Sequence, residues 1–193
     1  MVNLFPEVGG AANALQVPGL VYIPNFIDAE AERRLVEAID RETWDNTWER
    51  RRQLFGQTYG PNDTQLESLP RWGRRLASLA AQAVALPWPF EQMLVNEYLP
   101  GQGIALHRDY APFDRTVASI SLLSTCVMDL RRVADKHRES IVLERRSLLV
   151  LSDEARYEWE HGIARRKKDR WHGTIITRQR RISVTLRRLK KAR

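Results

Sequence analysis

A histidine and an aspartate separated by one residue stand near the middle of the chain, at His107 and Asp109 in the stretch YLPGQGIALHRDY. Residues two apart on a β-strand point to the same side, so one strand would present both side chains to a single site. Two histidines and one carboxylate on one face commonly hold mononuclear non-haem iron and leave positions open for other ligands. The pair therefore predicts two of three iron ligands, with a second histidine brought in by the fold.

Three further histidines are candidates for that third ligand. His137 lies in the charged stretch RVADKHRES, so we expect it at the surface. His161 ends the strand-like segment ARYEWEH and precedes a glycine, which lets a neighbouring backbone approach closely. His172 also precedes a glycine but follows the basic stretch ARRKKDRW. On the residues alone, a solvated or hydrogen-bonded histidine is the better interpretation of each of the three, so the third ligand stays open.

Two arginines in the stretch RRISVTLRR, Arg181 and Arg187, are six residues apart and would face the same side of a strand. The planar guanidinium binds a carboxylate at two points. Two arginines inside a β core would be costly without anionic partners. A dicarboxylate co-substrate with one end on iron would supply them, and the alternatives are a cross-strand salt bridge or an exposed basic face for phosphate.

The elements that must position these residues divide the chain into two parts. The first part has a strand in GLVYIPNFI, a helix capped by Asp28 and a second helix that begins at Pro70. Beyond Pro89, short runs rich in β-branched and apolar residues follow one another at close intervals. Two helical segments followed by many strands predict an α+β chain, mainly β, with a sandwich, barrel or jelly-roll core.

The net charge of +7 is unevenly distributed along the chain. Residues 162–193 hold 13 lysines and arginines against one acid, which gives +12, and residues 1–161 hold 18 against 23, which gives −5. This asymmetry favours a polyanionic partner or, alternatively, a solvated basic tail. Arginine supplies 26 of the 31 basic residues, which favours planar contacts with phosphate or carboxylate.

The same composition limits the compartment and the class of protein. A single cysteine, Cys126, excludes an internal disulfide and suits a reducing environment. The N-terminal stretch MVNLFPEVGG lacks the features of a secretory signal, and the longest mainly apolar run, Leu76 to Leu86, is too short to span a bilayer. We therefore expect a cytoplasmic, monomeric protein of one domain with no membrane association.

The ordered series NEY, HRD, RYEWEHGI and RISVTLR resembles the AlkB family of iron- and 2-oxoglutarate-dependent dioxygenases, closely over residues 91–189. The stretches GLVYIPNFI and RRQLFGQTYG extend the resemblance more weakly towards the N-terminus. The resemblance implies a double-stranded β-helix, a jelly-roll form, with N-terminal helices packed outside it. Residues 1–90 would carry the helices and a nucleotide-recognition lid, and residues 91–193 the catalytic core of the same structural domain.

The resemblance also assigns roles to individual residues. It implies Fe(II), 2-oxoglutarate and O2, with the iron held by His107, Asp109 and His161, and His172 as the rival third ligand. The 2-oxoglutarate site would comprise Asn96, Tyr98, Arg181, Ser183 and Arg187, with Arg181 on the distal carboxylate and Arg187 nearer the metal end. Some members have an asparagine where this chain has Ser183.

Further positions that match the family would bind a nucleic acid. The stretch RRQLFGQTYG resembles the lid, with Arg51 and Arg52 towards phosphate and Phe55 or Tyr59 near the base. The alternative for this segment is a surface hairpin. The basic segment of Arg165, Arg166, Lys167 and Lys168 would contact nucleic-acid phosphates.

The implied function is oxidative demethylation of N-alkylated bases in DNA or RNA, which releases formaldehyde, succinate and CO2 and repairs alkylation damage. Some members carry a base-reading acid two positions beyond the HRD carboxylate, but this chain has Ala111 there, so base preference does not carry over. One alternative keeps the chemistry on a tRNA base or a protein side chain. Another is a non-enzymatic, basic, nucleic-acid-binding β domain, which would show neither iron nor 2-oxoglutarate turnover.

Overall fold

The computed structural model describes residues 17–56 and 68–190. The elements in this part of the chain are, in order, β1 (Leu20–Ile23), α1 (Ala29–Arg41), β2 (Arg52–Gly56), α2 (Arg71–Ala83), β3 (Gln92–Tyr98), β4 (Ile104–His107), β5 (Thr116–Leu122), β6 (Cys126–Arg132), β7 (Arg138–Leu143), β8 (Leu148–Ser152), α3 (Asp153–Tyr157), β9 (Trp159–Ile163), β10 (Lys168–Trp171), β11 (Thr174–Thr177) and β12 (Arg181–Arg187). The predicted α+β, mainly β class is confirmed. None of these helices has the length and apolarity needed to cross a lipid bilayer.

The strands form two antiparallel sheets that pack face to face. The larger sheet has the order β1-β8-β5-β12-β3-β2 and the smaller one β4-β9-β6-β7, while β10 and β11 form a separate hairpin. Leu149 and Leu151 of the larger sheet share a buried cluster with Met128 and Ile163 of the smaller one. This arrangement is the jelly roll expected from the sequence. β1 and β2, from the N-terminal part, form the two edges of the larger sheet.

The two longer helices cover the outer face of the larger sheet. Ile39 of α1 and Leu76 of α2 lie in one buried cluster with three residues of β12: Ile182, Val184 and Leu186. Because side chains alternate along a strand, the other residues of β12 point into the space between the sheets. These residues are Arg181, Ser183, Thr185 and Arg187. The expectation that Arg181 and Arg187 share one side of a strand is therefore confirmed.

Two segments differ from their predicted secondary structure. The strand predicted in GLVYIPNFI ends at Ile23, because the chain turns at Asn25, whose φ is +50°. The segment RYEWEHGI is not one strand, because its first residues, Arg156 and Tyr157, belong to α3. Acidic residues in the first turn of α3 favour this short helix through the helix dipole. His161 consequently lies inside β9 and not at the end of a long strand.

The start of α1 provides a test of the fold's local energetics. The Asp28 carboxylate accepts a hydrogen bond of 2.7 Å from the backbone N–H of Ala31, as expected of an N-cap. We expect Asp28→Ala to lower the free energy of unfolding by about 1 kcal/mol in urea denaturation, since that donor loses its partner. Asp28→Asn keeps a capping oxygen and serves as the control. An unchanged midpoint for Asp28→Ala would show that the cap contributes nothing to stability.

Candidate active site

A cavity of about 220 Å³ opens between the two sheets. Its polar wall contains every residue that the sequence predicted for iron and 2-oxoglutarate: Asn96, Tyr98, His107, Asp109, His161, Arg181, Ser183 and Arg187. Apolar side chains complete the wall: Leu94, Ile104, Val117, Met128, Leu149, Leu151 and Ile163. The fold thus gathers residues from β3, β4 and the loop after it, β5, β6, β8, β9 and β12 around one cavity.

Two histidines face each other across neighbouring strands at one end of this cavity. His107 of β4 is in register with His161 of β9, and their ring centroids are 4.5 Å apart. A Cβ on Gly162 would come within 2.9 Å of the backbone of Ile104 and Leu106. Glycine at this position therefore allows β4 and β9 to approach closely, which is the role that the sequence suggested for it.

Asp109 brings a carboxylate to the same place. It is only 7% exposed, and its Oδ2 lies 3.6 Å from Nε2 of His161. Its Oδ1 lies 2.6 Å from a terminal nitrogen of Arg187, whereas Oδ2 is buried without a hydrogen-bond partner. One correction is needed: Asp109 is two residues beyond the end of β4, so it follows a strand and does not lie on one. Both side chains of the pair still reach the cavity.

The protonation states suit ligands to a cation. Burial raises the pKa of Asp109, but the positive charge of Arg187 and the nearby His161 outweigh it, so the net pKa lies below the ordinary value. Burial lowers the pKa of His161 to about 4, which leaves a neutral imidazole near pH 7. Nδ1 of His107 is 2.9 Å from the carbonyl oxygen of Ala105, a contact that uses Nδ1 and leaves Nε2 as the ring nitrogen available to a metal.

These three side chains fit the donor set of a mononuclear iron site. Within residues 17–56 and 68–190, no three His, Cys, Asp or Glu side chains stand close enough together, as they are placed, to coordinate one metal ion. The ion pair with Arg187 holds one carboxylate oxygen of Asp109, and the other oxygen is buried and unpartnered. A cation would satisfy that oxygen, so the donors fit the ion and closing the site requires a side-chain adjustment.

Arg181 stands in the same cavity as a buried cation with unused donors. It is 3% exposed, and its NH2 donates to Ser121 Oγ at 2.7 Å, while Nε and NH1 have no partner. Its guanidinium carbon is 5.4 Å from the centre of the Tyr98 ring. Arg181 is buried and has no ion-pair partner among the described residues. It therefore matches neither of the two alternatives, an exposed basic face or a cross-strand salt bridge. Free donors on a buried guanidinium favour an anionic ligand, and a carboxylate has the matching geometry.

The remaining predicted cofactor residues surround Arg181 and Arg187. Asn96 and Ser183 are opposite each other in the β3–β12 register, and Ser183 Oγ is 2.9 Å from Ser119 Oγ. Burial raises the pKa of Tyr98, which keeps its phenol protonated as a donor. Arg187 differs from Arg181 because it already has an ion-pair partner.

The two predicted lid arginines, at the start of β2, point to opposite faces of the larger sheet. Arg52 lines the cavity, pairs with Asp45 at 3.1 Å and places its guanidinium 4.2 Å from the centre of the Trp48 ring. Arg51 points the other way and forms an ion pair with buried Glu97. The expectation that both arginines face phosphate is therefore wrong, because successive side chains on an extended chain alternate.

The aromatic part of the lid prediction also needs correction. Phe55 is 8% exposed and packs edge-on against Trp72 in the core under the helices, so it does not face the cavity. The alternation that turns Arg52 inward turns Phe55 outward. Tyr59 lies outside the described residues. The stretch Arg52–Gly56 is an edge strand of the larger sheet, and the rest of RRQLFGQTYG lies outside the described residues.

The basic segment and the other two histidines lie outside the cavity. Arg165 contacts Glu49, Arg166 pairs with Asp169 at 2.6 Å, and Lys167 and Lys168 are exposed. His137 is exposed beside Glu139, as predicted. His172 is exposed in the turn between β10 and β11. The fold therefore places His161, and not His172, beside His107 and Asp109.

Among the cavity residues that the sequence did not single out, Trp48 and Arg50 carry an aromatic ring and a cation. Trp48 is 58% exposed, and Arg50 donates to the carbonyl oxygen of Gly103, which ties this segment to the start of β4. The available signal was a tryptophan separated by one residue from the arginine run in TWERRR. Aromatic and guanidinium groups together form a surface that suits nucleobases and phosphates.

Comparison with known proteins gives a consistent result. The family described as "2OG-Fe(II) oxygenase superfamily" matches residues 46–187. A protein of Arabidopsis thaliana named "Alkylated DNA repair protein ALKBH8 homolog" is 30% identical over 207 residues, which cover 91% of this chain and 60% of that protein. "Probable RNA/DNA demethylase ALKBH6" of Danio rerio is 30% identical over 165 residues, 76% of this chain and 69% of that protein.

A third relative is much longer than this chain. The "tRNA (carboxymethyluridine(34)-5-O)-methyltransferase alkbh8" of Xenopus tropicalis is 30% identical over 167 residues, which cover 79% of this chain but 26% of that protein. The chain therefore spans less than two thirds of the Arabidopsis relative and about a quarter of the Xenopus one. Among solved structures, "The structure of OsALKBH1" matches with a TM-score of 0.70 at 18% identity, covering 89% of this chain and 98% of that one. That likeness supports the fold.

Proposed function

We propose, from the premise that this chain belongs to the 2OG-Fe(II) oxygenase superfamily as a member of the AlkB family, that it oxidatively demethylates N-alkylated bases of nucleic acids. Membership makes the protein a dioxygenase that uses Fe(II), 2-oxoglutarate and O2. The observation that carries the proposal is a single cavity that holds the His107, Asp109 and His161 cluster, the unpartnered Arg181 and the exposed Trp48. The non-enzymatic alternative is incompatible with this membership.

His107, Asp109 and His161 would hold the iron. Bound Fe(II) supplies the activation of O2, which couples the decarboxylation of 2-oxoglutarate to succinate and CO2 with hydroxylation of the N-alkyl carbon. For an N-methyl group, the hydroxylated product breaks its C–N bond, and the methyl carbon leaves as formaldehyde. Arg187 forms an ion pair with Oδ1 of Asp109, so it orients the carboxylate and balances its charge.

Arg181, whose Nε and Nη1 donors have no partner, would bind the distal carboxylate of 2-oxoglutarate. Ser121 Oγ accepts a hydrogen bond from Nη2 of Arg181, which holds the guanidinium in place. Tyr98 and Asn96 stand beside it on β3, where a phenol and an amide can donate to the co-substrate. Apolar neighbours such as Met128 and Leu149 exclude water from the same space, which strengthens these contacts.

The open side of the cavity would receive the base. Trp48 offers an exposed ring for stacking, and Arg52 offers a cation beside it. A base in a duplex must leave the stack to reach an enclosed site, and alkylation that disturbs pairing makes this step easier. The basic segment, chiefly Lys167 and Lys168, would contact phosphates outside the cavity.

A tRNA base is the second candidate substrate. It is favoured by the relatives whose names specify a tRNA modification and whose matched region covers most of this chain. The chemistry would be unchanged, since oxidation at the iron needs only a C–H bond within reach. A protein side chain is the third possibility, and the same experiment separates all three.

The test is product formation after anaerobic loading with Fe(II). Succinate and formaldehyde are measured with N-methylated DNA and RNA oligonucleotides, their unmethylated counterparts, tRNA and a methylated peptide. We expect formaldehyde from the methylated oligonucleotides and none from the unmethylated ones. Trp48→Ala should weaken this turnover, and Trp88→Ala, which removes an exposed tryptophan stacked on Arg188 outside the cavity, should not. Formaldehyde from the peptide alone would overturn the proposal.

A further inference from the structure

The hairpin formed by β10 and β11 belongs to neither of the two sheets. Its strands pair over four residues each, from Lys168 opposite Thr177 to Trp171 opposite Thr174. His172 and Gly173 form the turn, with φ values of +43° and +83°, as a tight two-residue hairpin turn requires. A Cβ on Gly173 would meet nothing within 4 Å, so the tip is surrounded by open space.

The two faces of this hairpin have different surroundings. Directly opposite residues on antiparallel strands share a face. One face carries Asp169, which is 1% exposed, and is therefore turned towards the protein. The other face carries four exposed residues: Lys168, Arg170, Ile175 and Thr177. We call these four the outer face of the hairpin.

The root of the hairpin is held firmly by the buried Asp169 carboxylate. Arg178 donates to it twice at 2.6 Å, the backbone N–H of Val127 donates at 3.1 Å and Arg166 donates at 2.6 Å. Arg178 also donates to the carbonyl oxygen of Ala164. Four hydrogen bonds from three residues, one of them the backbone of Val127 in β6, anchor the inner face of the hairpin and leave the outer face exposed.

Positive charge is concentrated on the outer face. Arg165 and Arg166 use their charge on Glu49 and Asp169, whereas Lys168 and Arg170 have no ion-pair partner within residues 17–56 and 68–190. The charge available to a ligand therefore extends beyond the basic segment, to Arg170. Two residues along a strand span about 6.7 Å, so the two cations form a short row.

The root of the hairpin, at Arg165 and Arg166, is close to the segment that carries the cavity residue Trp48. Arg165, at the root of the hairpin, contacts Glu49, the neighbour of the cavity residue Trp48. The backbone N–H of Gly101 donates to the carbonyl oxygen of Arg166, which joins the root to the loop before β4. A strand whose base stacks at Trp48 would therefore continue towards the hairpin.

We propose that the outer face of the hairpin binds the sugar-phosphate backbone of the nucleic-acid strand whose modified base enters the cavity. Lys168 and Arg170 contact phosphates, and Ile175, which is 57% exposed and directly opposite Arg170, packs against a sugar or base face. A row of cations with an apolar neighbour suits a chain that alternates charged and apolar groups. The inference rests on the proposed function and extends the substrate to a strand longer than the base itself.

The test is the salt dependence of binding to a fluorescent single-stranded oligonucleotide of about 16 nucleotides, the upper size that small single-strand sites cover. The double variant Lys168→Gln/Arg170→Gln removes both cations and leaves the Asp169 anchor intact. Each lost phosphate contact reduces the slope of log affinity against log salt by about 0.7 for single strands, so we expect a slope smaller by about 1.4.

The matched control is Lys136→Gln/Arg138→Gln, which removes two exposed cations at the β6–β7 turn, on the far edge strand of the smaller sheet. Its slope should equal that of the unmodified protein. An unchanged slope for the hairpin variant would overturn the inference and leave the proposed function standing. If the unmodified protein itself shows no salt-dependent binding to oligonucleotides but binds an acidic peptide, the proposed function and the inference are both wrong.

Discussion

Asp109→Ala is expected to abolish Fe(II)-dependent succinate formation. Asp109 is the only carboxylate beside the His107 and His161 pair in the described residues that line the cavity, and its buried Oδ2 has no other partner. Altering groups that merely support a metal ligand reduces metal affinity or activity about 10- to 100-fold, so removing a ligand should exceed that range. The measurement is succinate formed per enzyme after anaerobic reconstitution, together with the iron content of the variant.

The fold should survive this change. Asp109 follows β4 in a loop, and the sheets on either side of the cavity are held by their own pairing and apolar clusters. Asp135→Ala, which removes an exposed carboxylate in the β6–β7 turn, is the matched control and should keep full turnover. Unimpaired succinate formation in Asp109→Ala would remove the carboxylate from the iron site.

Arg181→Met is expected to raise the 2-oxoglutarate concentration needed for half-maximal turnover by roughly 10- to 150-fold. This range corresponds to a hydrogen bond with a charged group, about 1.5–3 kcal/mol. Arg181→Lys keeps the charge but loses the two-point fork, so it should recover only part of the affinity. The measurement is the KM for 2-oxoglutarate at saturating iron.

The same arginine gives a stability test that does not depend on turnover. Without a ligand, Arg181 is a buried cation with two unpartnered donors, so Arg181→Met should not lower the melting temperature of the ligand-free protein. Adding 2-oxoglutarate should raise the melting temperature of the unmodified protein and leave that of the variant almost unchanged. An equal rise in both would show that Arg181 does not hold the co-substrate.

Local patterns in the sequence were sufficient for the parts of the fold that depend on neighbouring residues. The Asp28 cap and the six-residue spacing of Arg181 and Arg187 follow from helix and strand geometry. The residues of the HRD, RYEWEHGI and RISVTLR motifs that the family resemblance assigned to the site line one cavity. The spacing alone left the choice of third histidine open, and it did not show that Asp109 follows β4 or that RYEWEHGI begins in α3.

The errors occur where a distant contact decides the outcome. Arg51 turns away from the cavity because Glu97, 46 residues later, offers it a buried carboxylate. Phe55 packs under the helices because Trp72 of α2 lies there. The anchor of the hairpin joins Asp169 to the backbone of Val127, 42 residues earlier. Alternation along the segment predicts that Arg51 and Phe55 point to the side opposite Arg52. None of the partners is adjacent in sequence, however, so no local pattern could identify them.

Iron content after reconstitution of single histidine variants tests the central claim most directly. His161 lies beside His107 and Asp109, whereas His172 is exposed in the hairpin turn. We therefore expect His161→Ala to lose the iron and His172→Ala to retain one iron per chain, as the unmodified protein should. Retention of iron by His161→Ala together with its loss from His172→Ala would contradict the assignment of the site.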